Sequence, residues 1–255
     1  MQPVQTRRPR APLTAALLAG LLALSPALPA RAADQTDQMS FDLVLKGLTA
    51  GRLTIDGKTE GNGYAAVGTL QSTGILAWVK KIRYDASVSG RVSGSGSAAR
   101  FTPVSYSEKA DTGKRQSESV MAYKAGVPQV KVYNPPRPPQ TGDVDPAKQG
   151  GTVDPLSALF ITLRDVPADQ ACNRSLTLFD GKRRSQVVLG APVAAGDGLA
   201  CAGEYRRLEG FSADEMAEKS RFPFQLSLKP AENGMMRVDE VSMDTLYGKG
   251  ALKRR

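Results

Sequence analysis

The sequence predicts a mainly β protein: a curled antiparallel sheet or incomplete β-barrel with one short α-helix near residues 154–164, behind a cleaved signal peptide. Three observations predict this fold. Runs of alternating apolar and polar residues recur along the chain. The clearest is 84–92, where Tyr84, Ala86, Val88, Gly90 and Val92 share one face and Asp85, Ser87, Ser89 and Arg91 the other. Period-two alternation marks an antiparallel strand with one face on a core and one in water. Turn signals separate the runs, among them Asp56-Gly57, Asp180-Gly181 and the Ser-Gly stretch at 93–97. Only one segment carries a strong helical period.

The N-terminus has the three parts of a secretory signal. Arg7, Arg8 and Arg10 form a charged start, an apolar run covers 13–24, and Ala30-Arg31-Ala32 supplies small residues for a peptidase. The apolar run is too short for a spanning helix, which needs about 20 residues, and Pro26 and Pro29 interrupt the chain just beyond it. Cleavage after Ala32 is expected, with the mature chain in the periplasm and no later transmembrane segment. Residues 33–255 are expected to form a single β-rich domain. Its parts are an N-terminal half at 39–133, a proline-rich crossover at 134–153 and a C-terminal half at 154–255.

In order, strands are expected around 41–45, 53–55, 84–92, 101–108, 116–124 and 128–133. The stretch 134–140 cannot join a sheet, because its prolines lack amide donors. A helix comes next. Asp154 is placed to cap it and Pro155 suits its first position. Leu156, Leu159, Phe160 and Leu163 fall at i, i+3, i+4 and i+7, a single apolar stripe, and Arg164 sits in the last turn. Strands resume around 176–179, 183–189, 200–208 and 224–228. In the closing strand the apolar phase of Met236 and Val238 flips to that of Val241 and Met243, which predicts a β-bulge. Ser212 with Glu215 has the spacing of a capping box opening a short helix. The expected total is about ten strands.

Composition narrows the chemistry. The chain has no histidine, which excludes Ser-His-Asp and Cys-His catalysis, histidine-bound metals and an imidazole pH switch. No cofactor and no metal is expected. Removing Arg7, Arg8, Arg10 and Arg31 lowers the formal net charge of +9 by four. Nucleic acid is therefore a poor partner, and weak attraction to anionic envelope polymers remains open. Cys172 and Cys201 are the only cysteines. An even count in an exported chain favours a structural disulfide over a redox pair, which usually has two-residue spacing.

Several motifs recur in an order that resembles a known group. These are residues 153–164, Phe179-Asp180-Gly181-Lys182-Arg183, Cys201, residues 222–228 and 246–250. Together they resemble the exported Gram-negative envelope proteins of the domain of unknown function 3108 family, over about Phe41 to Leu252. The resemblance implies an envelope protein with a β-rich, partly barrel-like fold. It brings no catalytic residue.

Four candidate sites remain. Trp78, with Ile75 and Leu76, lies in the apolar stretch 74–80, which lines a ligand pocket, touches a membrane surface or belongs to the core. Asp180, Lys182, Arg183 and Arg184 crowd one hairpin, as an anion-binding tip or as a solvated turn. A pair of carboxylates could serve glycoside hydrolysis if two faced each other across a cleft. Residues 135–139 could recruit a proline-binding partner. The function expected is a non-enzymatic binding module for an apolar or amphipathic envelope ligand, such as a lipid, glycolipid or envelope polysaccharide. The alternatives are a carboxylate-dependent hydrolase of envelope carbohydrate and a scaffold protein.

Overall fold

The computed structural model describes residues 34–74, 77, 81–136, 138, 142–246 and 248–255. The expected signal segment lies outside them. The strands are β1 (Gln35–Leu45), β2 (Leu48–Glu60), β3 (Gly63–Ser72), β4 (Arg83–Ser93), β5 (Arg100–Asp111), β6 (Gln116–Lys124), β7 (Val127–Asn134), β8 (Val166–Pro167), β9 (Arg174–Phe179), β10 (Arg184–Ala195), β11 (Gly198–Glu209), β12 (Arg221–Pro230), β13 (Met235–Thr245) and β14 (Gly248–Arg254). Two helices stand among the described residues rather than one: α1 (Pro155–Leu163) and α2 (Ala213–Glu218).

One open antiparallel sheet holds all the strands. Its order runs β7-β6-β5-β4-β3-β2-β1-β14-β13-β12-β11-β10-β9, with the two-residue β8 beside β13. Each half is a meander of nearest neighbours. The halves join where the first strand meets the last, Phe41 opposite Arg254 and Leu45 opposite Gly250. The free edges β7 and β9 do not pair. The end of the crossover bridges the seam between them: Gly151 N–H donates to Gly126 C=O (3.0 Å), Val153 N–H to Thr177 C=O (2.9 Å), and Phe179 N–H to Val153 C=O (2.9 Å).

The bulge in the closing strand is present. Ser227 faces Glu240 and Leu228 faces Val238, so Asp239 is the extra residue. It resets the inward phase between Val238 and Val241. The strand count exceeds the expected one. β3 mixes small residues with few large apolar ones, and β14 is short, glycine-containing and basic. Neither alternates clearly, and each is made a strand by neighbours on both sides.

Helix α1 runs inside the curl. Asp154 Oδ1 accepts from the Ser157 N–H (2.8 Å), and Pro155 opens the first turn. Leu156, Phe160 and Leu163 join the main core with Met39, Phe41, Ile55 and Val88. Ala158 and Ile161 join a smaller cluster with Val153 and Leu178 on the β9 side. The helix is therefore gripped on two faces. The expected single stripe is corrected in one place: Leu159 is exposed, while Ala158 and Ile161 are buried. At the far end Arg164 leaves the helix and reaches Asp37 on β1, Nε to Oδ2 3.6 Å. The last carbonyls of α1 are served by arginines: Ile161 C=O by Arg174 (3.0 Å) and Leu163 C=O by Arg254 (3.1 Å).

Candidate functional site

Strands β4 to β7 present three in-register rows to the inside of the curl. Val88, Tyr106, Met121 and Val130 form an apolar row. Next comes a row of Ala86, Glu108, Ser119 and Tyr133, then one of Tyr84, Ala110 and Ser117. The inward face thus turns from apolar to polar towards one end of the sheet. The β9–β10 hairpin folds over that end. A β-carbon on Gly181, whose φ is 94°, would stand 3.2 Å from Ser119 Oγ and 3.6 Å from Met121 Sδ. This close approach and positive φ suit glycine.

Between wall and hairpin lies a cleft of ≈ 410 Å³ that includes Tyr84, Glu108, Ser119, Tyr133, Asp180 and Lys182 in its lining, with Arg115 at the β5–β6 turn. Ser119 is 7% exposed, and its hydroxyl has no hydrogen-bond partner among the described residues. Glu108 Oε2 accepts from the Tyr106 hydroxyl (2.8 Å). Burial pushes the Glu108 carboxyl up, and the nearby Asp180 charge adds to it. Asp180 Oδ1 accepts from the N–H groups of Lys182 (2.8 Å) and Arg183 (2.6 Å), which fixes the turn. Arg183 turns away to pair with Glu215 (3.0 Å) and to stack on Phe211.

Beneath the cleft a fully buried chain of hydrogen bonds runs from Tyr64 to Ser157 (2.7 Å) and from the Ser157 hydroxyl to Asp154 Oδ2 (2.6 Å). Burial pushes the Asp154 carboxyl up to about 6 against the pull of its Ser157 hydrogen bonds. Ser157 donates its hydroxyl proton to a carboxylate, but both groups are fully buried, so no substrate reaches the pair in this conformation.

The chain of residues 38–197 matches the family model described as protein of unknown function (DUF3108), more than half of the sequence. The chain belongs to this family. No curated protein matches it significantly. Among solved structures it is similar to the beta-barrel-like protein of domain of unknown function DUF1849 from Brucella abortus. That match has 15% identity and a TM-score of 0.45, and covers 86% of this chain and 95% of the other.

The sites read from the sequence scatter across this family member. Trp78, Ile75 and Leu76 lie outside the described residues. The residues flanking that stretch, Ser72 and Ile82, are joined by a 2.9 Å hydrogen bond. Cys172 and Cys201 form a disulfide with Cα atoms 5.8 Å apart. Asp154 and Pro155 lie at the N-terminus of α1, and Pro155 also touches the cleft. Of the crowded hairpin, Asp180, Lys182 and Arg183 line the cleft, while Arg184 pairs with Glu209 (3.2 Å). The sequence reading missed Glu108 and Ser119. The available signal was their phase: both polar residues share the inward phase of Tyr106 and Met121 on the same strands. Among the described residues no three His, Cys, Asp or Glu side chains gather as a metal site, and no helix is long and apolar enough to cross a membrane.

Proposed function

We propose that the protein is an exported, non-enzymatic binding module of the cell envelope. It holds an amphipathic ligand whose polar group enters the cleft between the β4–β7 wall and the β9–β10 hairpin. The observation that carries this reading is the Ser119 hydroxyl, buried and without a partner, in a cleft that also exposes Glu108. Native structures rarely leave buried polar atoms unmatched, so an unmatched one in a cleft favours a ligand or water. The interior behind it is filled by α1 and the core, which leaves an apolar tail outside the cleft. A periplasmic location is supported by the signal-like N-terminus together with the Cys172–Cys201 disulfide.

The test is native mass spectrometry of protein purified from envelope extracts. A co-purifying amphipathic molecule is expected, and Ser117→Trp, which adds an indole to the cleft lining, should release it. If nothing co-purifies, and no component of a total envelope-lipid extract binds in titration, the reading fails.

A carboxylate-dependent hydrolase is the second reading. Its support is that Glu108 and Asp180 line one cleft, with the Glu108 carboxyl raised as a general acid requires. Against it, Asp180 Oδ1 is committed to two amides of its own turn. Release of reducing sugar from envelope glycans by the wild type, abolished in Glu108→Gln, would favour this second reading.

A further inference from the structure

The cleft is lined by side chains of both charges. Its carboxylates are Glu108, Glu118 and Asp180, and the Asp180 charge adds to the burial that pushes the Glu108 carboxyl up. Among the described residues, no cation pairs with Glu108, whose hydrogen-bond partner is the Tyr106 hydroxyl. Ser119, more than nine-tenths buried and with its hydroxyl unpartnered among the described residues, belongs to the same lining. Its cations are Arg115, Lys182 and Arg183, and among the described residues the first two make no ion pair. Arg183 is already committed to Glu215 and Phe211. Tyr84 and Tyr133 also line the cleft.

A simple anion would be drawn to the cations of this lining and repelled by its carboxylates, and a simple cation the reverse. A group carrying both charges, a short distance apart, satisfies both. We propose that the cleft reads an amino-phosphate headgroup, with a primary ammonium at Glu108, Ser119 and Asp180 and a phosphate at Arg115 and Lys182. This rests on the reading of the cleft as the ligand site. A primary ammonium has three donors, enough for both carboxylates and the serine oxygen together. Salt-bridge geometry of this kind is charge-assisted on both ends. A trimethylated ammonium carries the same charge without donors and would not fit.

The test titrates the full chain with phosphoethanolamine, choline phosphate, glycerol phosphate and ethanolamine. Phosphoethanolamine is expected to bind about tenfold tighter than each of the others. Glu108→Gln should remove that preference, while glycerol phosphate, relieved of one repelling carboxylate, should bind at least as well as to the wild type. Ser119→Ala, which removes only an oxygen, should weaken phosphoethanolamine in the same direction. Arg115→Ala with Lys182→Ala should weaken both phosphates. Sedimentation with phosphatidylethanolamine vesicles, against phosphatidylglycerol vesicles, and titration with a glucosamine phosphate then separate the two sources of this chemistry. Binding to the first supports a lipid headgroup, and binding to the glucosamine phosphate an amino-sugar phosphate. Equal affinity for choline phosphate and phosphoethanolamine, or an unchanged preference in Glu108→Gln, overturns the headgroup inference and leaves the cleft as a ligand site. Failure of every probe and of the envelope extract removes the proposed function as well.

Discussion

The ring of Phe160 occupies the place that a side chain on Gly57 would need: a β-carbon there would stand 2.4 Å from Phe160 Cε2. Helix α1 thus sits in the curl only because β2 has no side chain at that point. Gly57→Ala is expected to destabilise the fold by about 1–3 kcal/mol through overpacking. Phe160→Ala, which empties a fully buried site, should cost about 3–5 kcal/mol. Urea unfolding of both variants checks this. A neutral Gly57→Ala would show that the helix shifts freely within the sheet.

The buried Asp154 makes stability depend on pH. Its folded carboxyl, at about 6, lies above the ordinary 3.8 because burial penalises the charge. The folded chain therefore holds the proton more tightly than the unfolded chain. The resulting stabilisation is full below about pH 4 and is lost as pH rises through about 6. Asp154→Asn keeps an acceptor for the Ser157 N–H and should flatten this part of the stability profile. Asp154→Ala should also lose the cap, costing about 1 kcal/mol or more at every pH. Denaturation at about pH 4.5 and about pH 7.5 gives the comparison. An unchanged slope in Asp154→Asn would assign the dependence to another group.

Cys172 and Cys201 are both buried and close a loop with a sequence separation of 29. Native protein should show no free thiol, and reduced, unfolded protein two. Replacing both with serine is expected to cost about 3–4 kcal/mol in the chain-entropy model. Thiol titration and thermal melts with and without reductant measure the two claims.

Asp37 and Arg164 tie β1 to the end of α1. Asp37 is 5% exposed, and burial raises its carboxyl despite the Arg164 charge beside it. Removing one partner leaves the other buried and uncompensated, so Arg164→Ala should cost about 3–5 kcal/mol. The double change Asp37→Asn with Arg164→Met should cost clearly less than the two single changes together. Strict additivity would mean that the pair is not coupled.

The features readable in the sequence are those whose signal is local. The strand 84–92, the cap at Asp154 and the bulge beside Asp239 are such patterns, and each appears in the structure at its expected place. The capping box at Ser212 and Glu215 is likewise present. β3 and β14 were hidden because small or basic residues form a strand there only through neighbours on both sides. Leu159 departs from expectation for a related reason. A helical stripe predicts one contact face, and α1 has two.

The candidate cleft was the least legible part. Glu108, Ser119 and Asp180 are separated along the chain and share no motif. Register brings the first two side by side, and the folding of the β9–β10 hairpin over β6 adds the third. The β class, the family, the helix cap and the cysteine pairing were all set by the order of residues, because alternation, capping and a lone cysteine pair act over short range or leave one choice. Three outcomes needed the folded chain: that the first strand pairs with the last, that the sheet stays open at β7 and β9, and which polar residues meet in the seam. They depend on long-range register and on how the curl closes around α1, which no local pattern encodes.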